Sequence, residues 1–358
     1  MDKAQELGTL ALDTADRLAR RHVGVVVAAV ADGHVGFAGA GTTGGTGSGA
    51  PGAGTLFEIG SVTKTFTALA LARMTVAGTV ELDEPLARLL PDGRAVPTQG
   101  GQEITLQHLA THTSGLPRLP KGMLLRALLR PRTPDPYAGC TTDVLLSGLA
   151  RTRLRSTPGQ RVHYSNLGAG LLGLALARRA GTTYEQLVTT QVCAPLDMSD
   201  TVVAAPATRP GRVAQGHDSR RRPTPPWNLA DLAGAGGLWS TTTDLVSYVR
   251  AQLDEGGPTE LAEAIRLSRQ VEHRNSSFAW MHLGWHAHRL HPRQGAHLQI
   301  WHNGGTGGFS SFVGFDPETG TAVIVLSNTQ RPVDTPAFGL WRTLQDKAAS
   351  RKDPSGAA

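Results

Sequence analysis

The sequence predicts an α+β fold in which strands from both ends of the chain pair into one sheet and the stretch between them is mainly helical. Three observations predict it. Short apolar runs rich in β-branched residues cluster in residues 24–40 and again in 279–327. Between about 61 and 270 the apolar spacing is helical, with cap signals at the ends of the runs. A helix-patterned segment at each terminus is placed to cover a face of the sheet. The implied organisation is an α/β lobe from 1–60 and 275–350, a mainly helical lobe from 61–274, and a loose tail at 351–358.

In chain order, Leu7, Leu10 and Leu18, with Ala11 and Thr14 between, mark an amphipathic surface helix. Gly24-Val25-Val26-Val27-Ala28-Ala29-Val30 reads as a buried strand, Asp32-Gly33 as a hairpin turn and 34–40 as the partner strand. Residues 41–54 are glycine-rich. No Gly-Lys-Ser/Thr follows and no strand feeds a helix there, so they connect elements rather than cradle a phosphate. Helices are expected at 61–76 (amphipathic), 106–111, 141–151 and 166–180, with Gly181 as C-cap and a further helix from Thr183. Proline-rich stretches at 117–136 and 206–226 are long loops, a length that near a core often marks function. Strands return at 279–290, 297–302, 309–315 and 321–327, and a last helix covers 334–349.

With 358 residues, 40% hydrophobic and only 18% charged, the chain fits a globular enzyme and not a disordered protein. The net charge of +6 comes almost wholly from arginines, which are scattered rather than striped, and aromatics make up only 5%. That excludes a nucleic-acid surface but leaves a general preference for anionic surfaces or substrates. Cys140 and Cys193 stand far apart with no metal spacing and read as inert thiols of a reduced compartment. Asp13, Asp16 and Arg17 interrupt any signal-like apolar run at the start, and no run approaches a membrane span. A cytoplasmic protein with no membrane partner is expected.

The chemistry starts at Ser61-Val62-Thr63-Lys64. The run Thr55-Leu56-Phe57-Glu58-Ile59-Gly60 is strand-like and ends on glycine, so Ser61 falls near the first turn of the following helix. Three residues on is the neighbouring turn of the same face, which puts Lys64 within reach of the Ser61 hydroxyl. The positive end of the helix favours a developing alkoxide and disfavours a protonated lysine, and burial lowers the lysine pKa further. A serine beside a neutral lysine is an activated nucleophile. The spacing alone also describes a surface lysine in a first helical turn, so the reading depends on partners elsewhere.

Two segments supply them. One is Thr157-Pro158-Gly159-Gln160-Arg161-Val162-His163-Tyr164-Ser165-Asn166, the other Gln299-Ile300-Trp301-His302-Asn303-Gly304-Gly305-Thr306. With Ser61-x-x-Lys64, Tyr164-x-Asn166 and His302-x-Gly304 in this order, the chain resembles the serine β-lactamase-like family: class C β-lactamases, DD-peptidases, and esterase and transacylase relatives. The flanks Leu106-Gln107-His108-Leu109-Ala110-Thr111-His112-Thr113-Ser114-Gly115-Leu116-Pro117 and Gly236-Gly237-Leu238-Trp239-Ser240 agree, as does Pro195-Leu196-Asp197-Met198 with aspartate where glycine is usual. The resemblance implies a five-stranded antiparallel sheet flanked by the terminal helices, with an inserted all-helical lobe.

It also implies roles. Ser61 is the nucleophile, and Lys64 with Tyr164 manages its proton, the phenol being partly ionised beside the amine. Ser61 and Gly305 offer backbone N–H groups to an oxyanion. Asn166, His302, Asn303 and Gly304 contact substrate, Asn166 at the acyl amide; Asn166 can double as a helix N-cap, and the glycines keep a strand edge open. His302 departs from the lysine of β-lactamases. A histidine is mostly neutral at pH 7 but can still donate a hydrogen bond toward Ser61 and Tyr164. This favours a carboxylesterase with a small-molecule acyl substrate. A transacylase passing the acyl group to an amine or alcohol, a β-lactamase or D-Ala-D-Ala carboxypeptidase, and a non-catalytic acyl-ligand binder are the alternatives. No cofactor is expected. His282, His286, His288, His291 and His297 crowd one region without a carboxylate or cysteine in ligand spacing, so no metal is expected either.

Overall fold

The most continuously apolar run forms the middle of the sheet. In the computed structural model, which describes residues 2–44, 49–120, 135–137, 139–204, 210–254 and 259–352, β1 (Gly24–Ala31) is buried along its whole length. Asp32 and Gly33 take left-handed φ values of 52° and 74°, the geometry of a two-residue hairpin, and β2 (His34–Gly41) returns beside β1. The short β3 (Phe57–Glu58) and β4 (Trp239–Ser240) form a separate ribbon. The remaining strands are β5 (His273–Arg274), β6 (Ala279–Met281), β7 (His286–Arg289), β8 (Leu298–Gly305), β9 (Ser310–Asp316) and β10 (Thr321–Ser327). Together with the hairpin they give an antiparallel sheet in the order β2-β1-β10-β9-β8-β7-β6-β5.

Strands from both chain ends therefore share one sheet, but it has eight strands where five were expected. The difference lies at one edge. Residues 279–290 are not one strand, because Gly284 turns at φ 74° and folds them into the β6–β7 hairpin, to which β5 adds. A Cβ on Gly284 would stand 2.7 Å from Ala68 Cβ and 2.8 Å from the Lys64 carbonyl oxygen, so this turn presses on the helix that carries Lys64.

Strand alternation divides the core. Val25, Val27 and Ala29, with Val323 and Val325, face helix α1 (Lys3–Ala19) through Leu7, Ala11, Ala15 and Leu18 and the C-terminal helix (Asp334–Lys352) through Trp341. Val26, Ala28 and Ile324 face α2 (Thr63–Val76) and the helices around it. These include α3 (Leu106–Ala110), α4 (Thr142–Ala150), α5 (Asn166–Arg179), α6 (Tyr184–Val188), α7 (Thr242–Leu253) and α8 (Glu260–Gln270), which makes the C-terminal helix α9. α2 is not amphipathic as expected: Thr63 to Ala72 are all buried, since it is enclosed by the sheet side, α5 and α8. One apolar cluster runs from the inner sheet face through Phe66 and Leu69 to Leu145 and Leu171, so residues 61–274 share a core with the sheet. No helix among the described residues is long and apolar enough to cross a membrane. The last residues of the expected tail, 353–358, most of the loop at 117–136 (121–134) and the start of the loop at 206–226 (206–209) lie outside the described residues.

Candidate active site

Ser61 sits in a single 3-10 turn, Gly60–Val62, that leads straight into α2. Gly60 has φ 50°, and a Cβ on it would lie 2.7 Å from the Gly305 backbone nitrogen. A Cβ on Gly304 would lie 3.0 Å from the Ser61 nitrogen and 2.1 Å from the Ile59 carbonyl oxygen. Only glycine allows this approach, and it brings the amides of Ser61 and Gly305 to one junction between the turn and the end of β8. Ser311 Oγ donates to the same Ile59 carbonyl at 2.7 Å and ties the turn to β9.

One helical turn on, Lys64 is 3% exposed. Its Nζ lies 2.9 Å from Ser61 Oγ and donates to the Ala235 carbonyl at 2.5 Å. Burial holds the Lys64 amine well below its ordinary pKa, and the positive Arg118 pushes it the same way. A neutral amine at this distance can accept the hydroxyl proton while it keeps its bond to Ala235.

Tyr164 arrives from the segment before α5. The Lys64 Nζ is 4.9 Å from its ring centroid and the Arg118 guanidinium carbon 5.3 Å. Burial raises the phenol to about 12, and the Ser61 hydroxyl and Arg118 pull it back only in part. The resting phenol is therefore neutral, not the partial phenolate expected, while burial pushes the amine toward its own neutral form.

The rest of the set divides. Ser165 caps α5, its Oγ accepting from Gly168 N–H at 2.9 Å, so Asn166 is spared the N-cap role. Asn166 Oδ1 is buried with no partner among the described residues. Asn303 Nδ2 donates to Asp334 Oδ1 at 2.6 Å, which spends that side chain on tying β8 to α9. His302 is fully buried, and its Nδ1 faces the Asn303 carbonyl at 2.6 Å. That carbonyl demands the proton on Nδ1, so Nε2, buried and unpartnered, presents a lone pair. The expected donation from His302 is thus reversed in sign. Gly304 packs against the Ser61 turn; Gly305 is the glycine that faces open space, with nothing nearer a built Cβ than the Phe309 carbonyl at 3.9 Å.

A cavity of about 480 Å³ opens over the junction, lined by Ser61, Tyr164, Gly305, Arg118, His286 and Arg331 among others. The last three were not identified as site residues from sequence. His286 drew notice only as a metal candidate, yet it packs 6.4 Å from Tyr164 and 5.2 Å from His302, ring to ring. Arg118 belongs to the proline-rich loop whose length was the signal for function. His112, with φ 58°, places its ring 4.5 Å from that of Tyr164. Burial above all depresses His112, His286 and His302, His286 to about 4, so all three are neutral at pH 7. The other histidines of the cluster have structural partners: His282 accepts from Trp280 Nε1, His288 from Trp301 Nε1 and His291 from Arg293 N–H, and His297 meets Asp346. No group of three metal-ligating side chains occurs among the described residues.

The Beta-lactamase family model matches residues 10–345. The chain is 31% identical over 281 residues to the D-alanyl-D-alanine-carboxypeptidase/endopeptidase AmpH of Escherichia coli K12, covering 75% of this chain and 70% of that protein. It is 28% identical over 308 residues to a β-lactamase of Pseudomonas fluorescens, covering 78% and 80% respectively. The crystal structure of a β-lactamase/D-alanine carboxypeptidase from Yersinia pestis superposes with a TM-score of 0.81 at 25% identity, over 97% of this chain and all of that one. An eight-stranded antiparallel sheet, a buried lysine beside a helix-start serine, and a family model spanning nearly the whole chain agree: this protein belongs to the Beta-lactamase family of serine hydrolases.

Proposed function

We propose that Ser61 is the nucleophile of an acyl-enzyme hydrolase. Ser61 Oγ bonds to an ester or amide carbonyl carbon while Lys64 takes its proton, and the oxyanion rests on the N–H groups of Ser61 and Gly305. The carbon–leaving-group bond then breaks, with Tyr164 and Lys64 returning a proton to the leaving atom. Water repeats the sequence and frees the acid. The observation that carries this reading is the buried Lys64 amine 2.9 Å from Ser61 Oγ, with burial the largest influence on its charge.

For substrate, an ester comes first, which makes the protein a carboxylesterase of the cytoplasm. The support is His302, neutral and fully buried, at the position where the β-lactamases of the resembled family carry a charged lysine. Transfer of the acyl group to an amine or alcohol uses the same steps with another acceptor. A second reading, hydrolysis of D-alanyl peptides or β-lactams, is favoured by what the E. coli and Yersinia relatives are named for. Intact-mass measurement after incubation with a fluorophosphonate and, separately, a penicillin tests both. A Ser61-dependent adduct with the first alone supports the esterase, and one with each supports the second reading. Absence of any adduct in wild type, matching Ser61→Ala, would sink acyl-enzyme chemistry and leave a binder.

A further inference from the structure

The cavity holds three kinds of basic group, and they differ in what is left to offer a ligand. Lys64 spends its amine on Ser61 Oγ and the Ala235 carbonyl, and His112, His286 and His302 are buried and neutral, so none of them is free to hold an anion. Arg331 lines the cavity but commits its Nε and Nη2 to the Ser219 carbonyl, at 2.9 and 2.7 Å. Asp334 is taken by Asn303. Arg118 alone among these is both charged and, among the described residues, without a hydrogen bond or ion pair to its guanidinium. Its guanidinium carbon stands 5.3 Å from the centroid of the Tyr164 ring. A guanidinium that lines a cleft with its five donors uncommitted is suited to a carboxylate.

Its place in the chain says which half of a substrate it meets. The Arg118 carbonyl accepts the N–H groups of Asn166 and Leu167, at 3.0 and 3.2 Å, so its backbone is pinned to the start of α5. It stands beside Asn166, whose buried Oδ1 lacks a partner and whose counterpart, by the family resemblance, contacts the acyl portion. We propose that Arg118 is the anion receptor of this cleft and that the acyl donor carries a carboxylate on its acyl half. The inference rests on acylation at Ser61 and names the substrate class for it.

The test compares 4-nitrophenyl hydrogen adipate with 4-nitrophenyl methyl adipate, which differ only in the remote charge, with spontaneous hydrolysis subtracted. Wild type is expected to favour the acid in kcat/KM by about tenfold or more, the worth of a charge-assisted hydrogen bond. Arg118→Gln should erase that ratio, Arg118→Lys should restore part of it, and added salt should shrink it in wild type. Any loss common to both esters divides out, so a merely structural role leaves the ratio untouched and overturns the proposal. A ratio lost in Arg331→Gln and kept in Arg118→Gln overturns it as well, assigning the anion to the other arginine. Equal turnover of the two esters, with Ser61 still labelled by fluorophosphonate, refutes the anion receptor and leaves the acyl-enzyme intact. No turnover and no label refutes both.

Discussion

Gly304→Ala probes whether the edge of β8 is built to touch the turn that carries Ser61. The added methyl would stand 2.1 Å from the Ile59 carbonyl oxygen, 2.3 Å from Ser311 Oγ and 3.0 Å from the Ser61 nitrogen. Heavy atoms rest at about 3.5 Å, so the strand and the turn must part by more than about 1 Å. Both sides of the clash are backbone or tied to it, and the Ser311–Ile59 hydrogen bond bends or breaks with the shift. Overpacking of this kind costs about 1–3 kcal/mol and a lost hydrogen bond about 1 more, which puts the expected destabilisation near 3 kcal/mol. The same displacement misplaces the Ser61 N–H, and loss of one oxyanion donor lowers the rate ~10²–10³-fold. Gly305→Ala is the control, because its methyl finds nothing closer than 3.9 Å. Its stability should stay within about 0.5 kcal/mol of wild type, with the effect confined to substrates entering the cleft. Denaturant midpoints and fluorophosphonate labelling rates measure the two quantities. A Gly304→Ala protein with wild-type midpoint and labelling rate would refute the packing argument, as would a Gly305→Ala protein that unfolds as readily.

Lys64 as base requires a neutral amine, so acylation should fade as pH falls through its depressed pKa; Lys64→Arg, which stays charged, should lose ~10²–10⁴ in labelling rate, and a variant that labels normally contradicts the assignment. Burial raises the Glu58 carboxyl to about 7 from an ordinary 4.5, although its Oε1 accepts from Trp227 N–H at 2.8 Å. A raised acid favours the protonated form in the folded state, so its stabilisation is complete below the ordinary value and disappears as pH rises through about 7. Glu58→Gln should therefore gain on wild type by about 3 kcal/mol between pH 4 and pH 8 in denaturant titrations, whereas parallel curves would show that Glu58 is not held protonated.

Much of the site was legible as ordered motifs. Ser61 and Lys64 are three residues apart on one helix start, and local geometry alone sets their contact. Tyr164 and Gly305 could be named only through resemblance, because nothing local brings a residue a hundred positions away to the same hydroxyl. Arg118 and His286 went unrecognised as site residues for the same reason: each has its meaning from the cavity it lines. The eighth-strand edge was missed because a single glycine, Gly284, decides between one strand and a hairpin, and its partner is the helix at Ala68.

The amino-acid order by itself determined the α+β plan, the Asp32-Gly33 hairpin, the start of α2 and the serine–lysine pair, all products of periodicity, turn chemistry and short-range spacing. Charge was decided only in three dimensions. How far the amine and the phenol are pushed toward their neutral forms, where the His302 proton sits and which arginine keeps its donors free all follow from desolvation and from competing carbonyls brought in from distant segments. The cost of ionising a side chain depends on what surrounds it, and those surroundings exist only once the chain has folded.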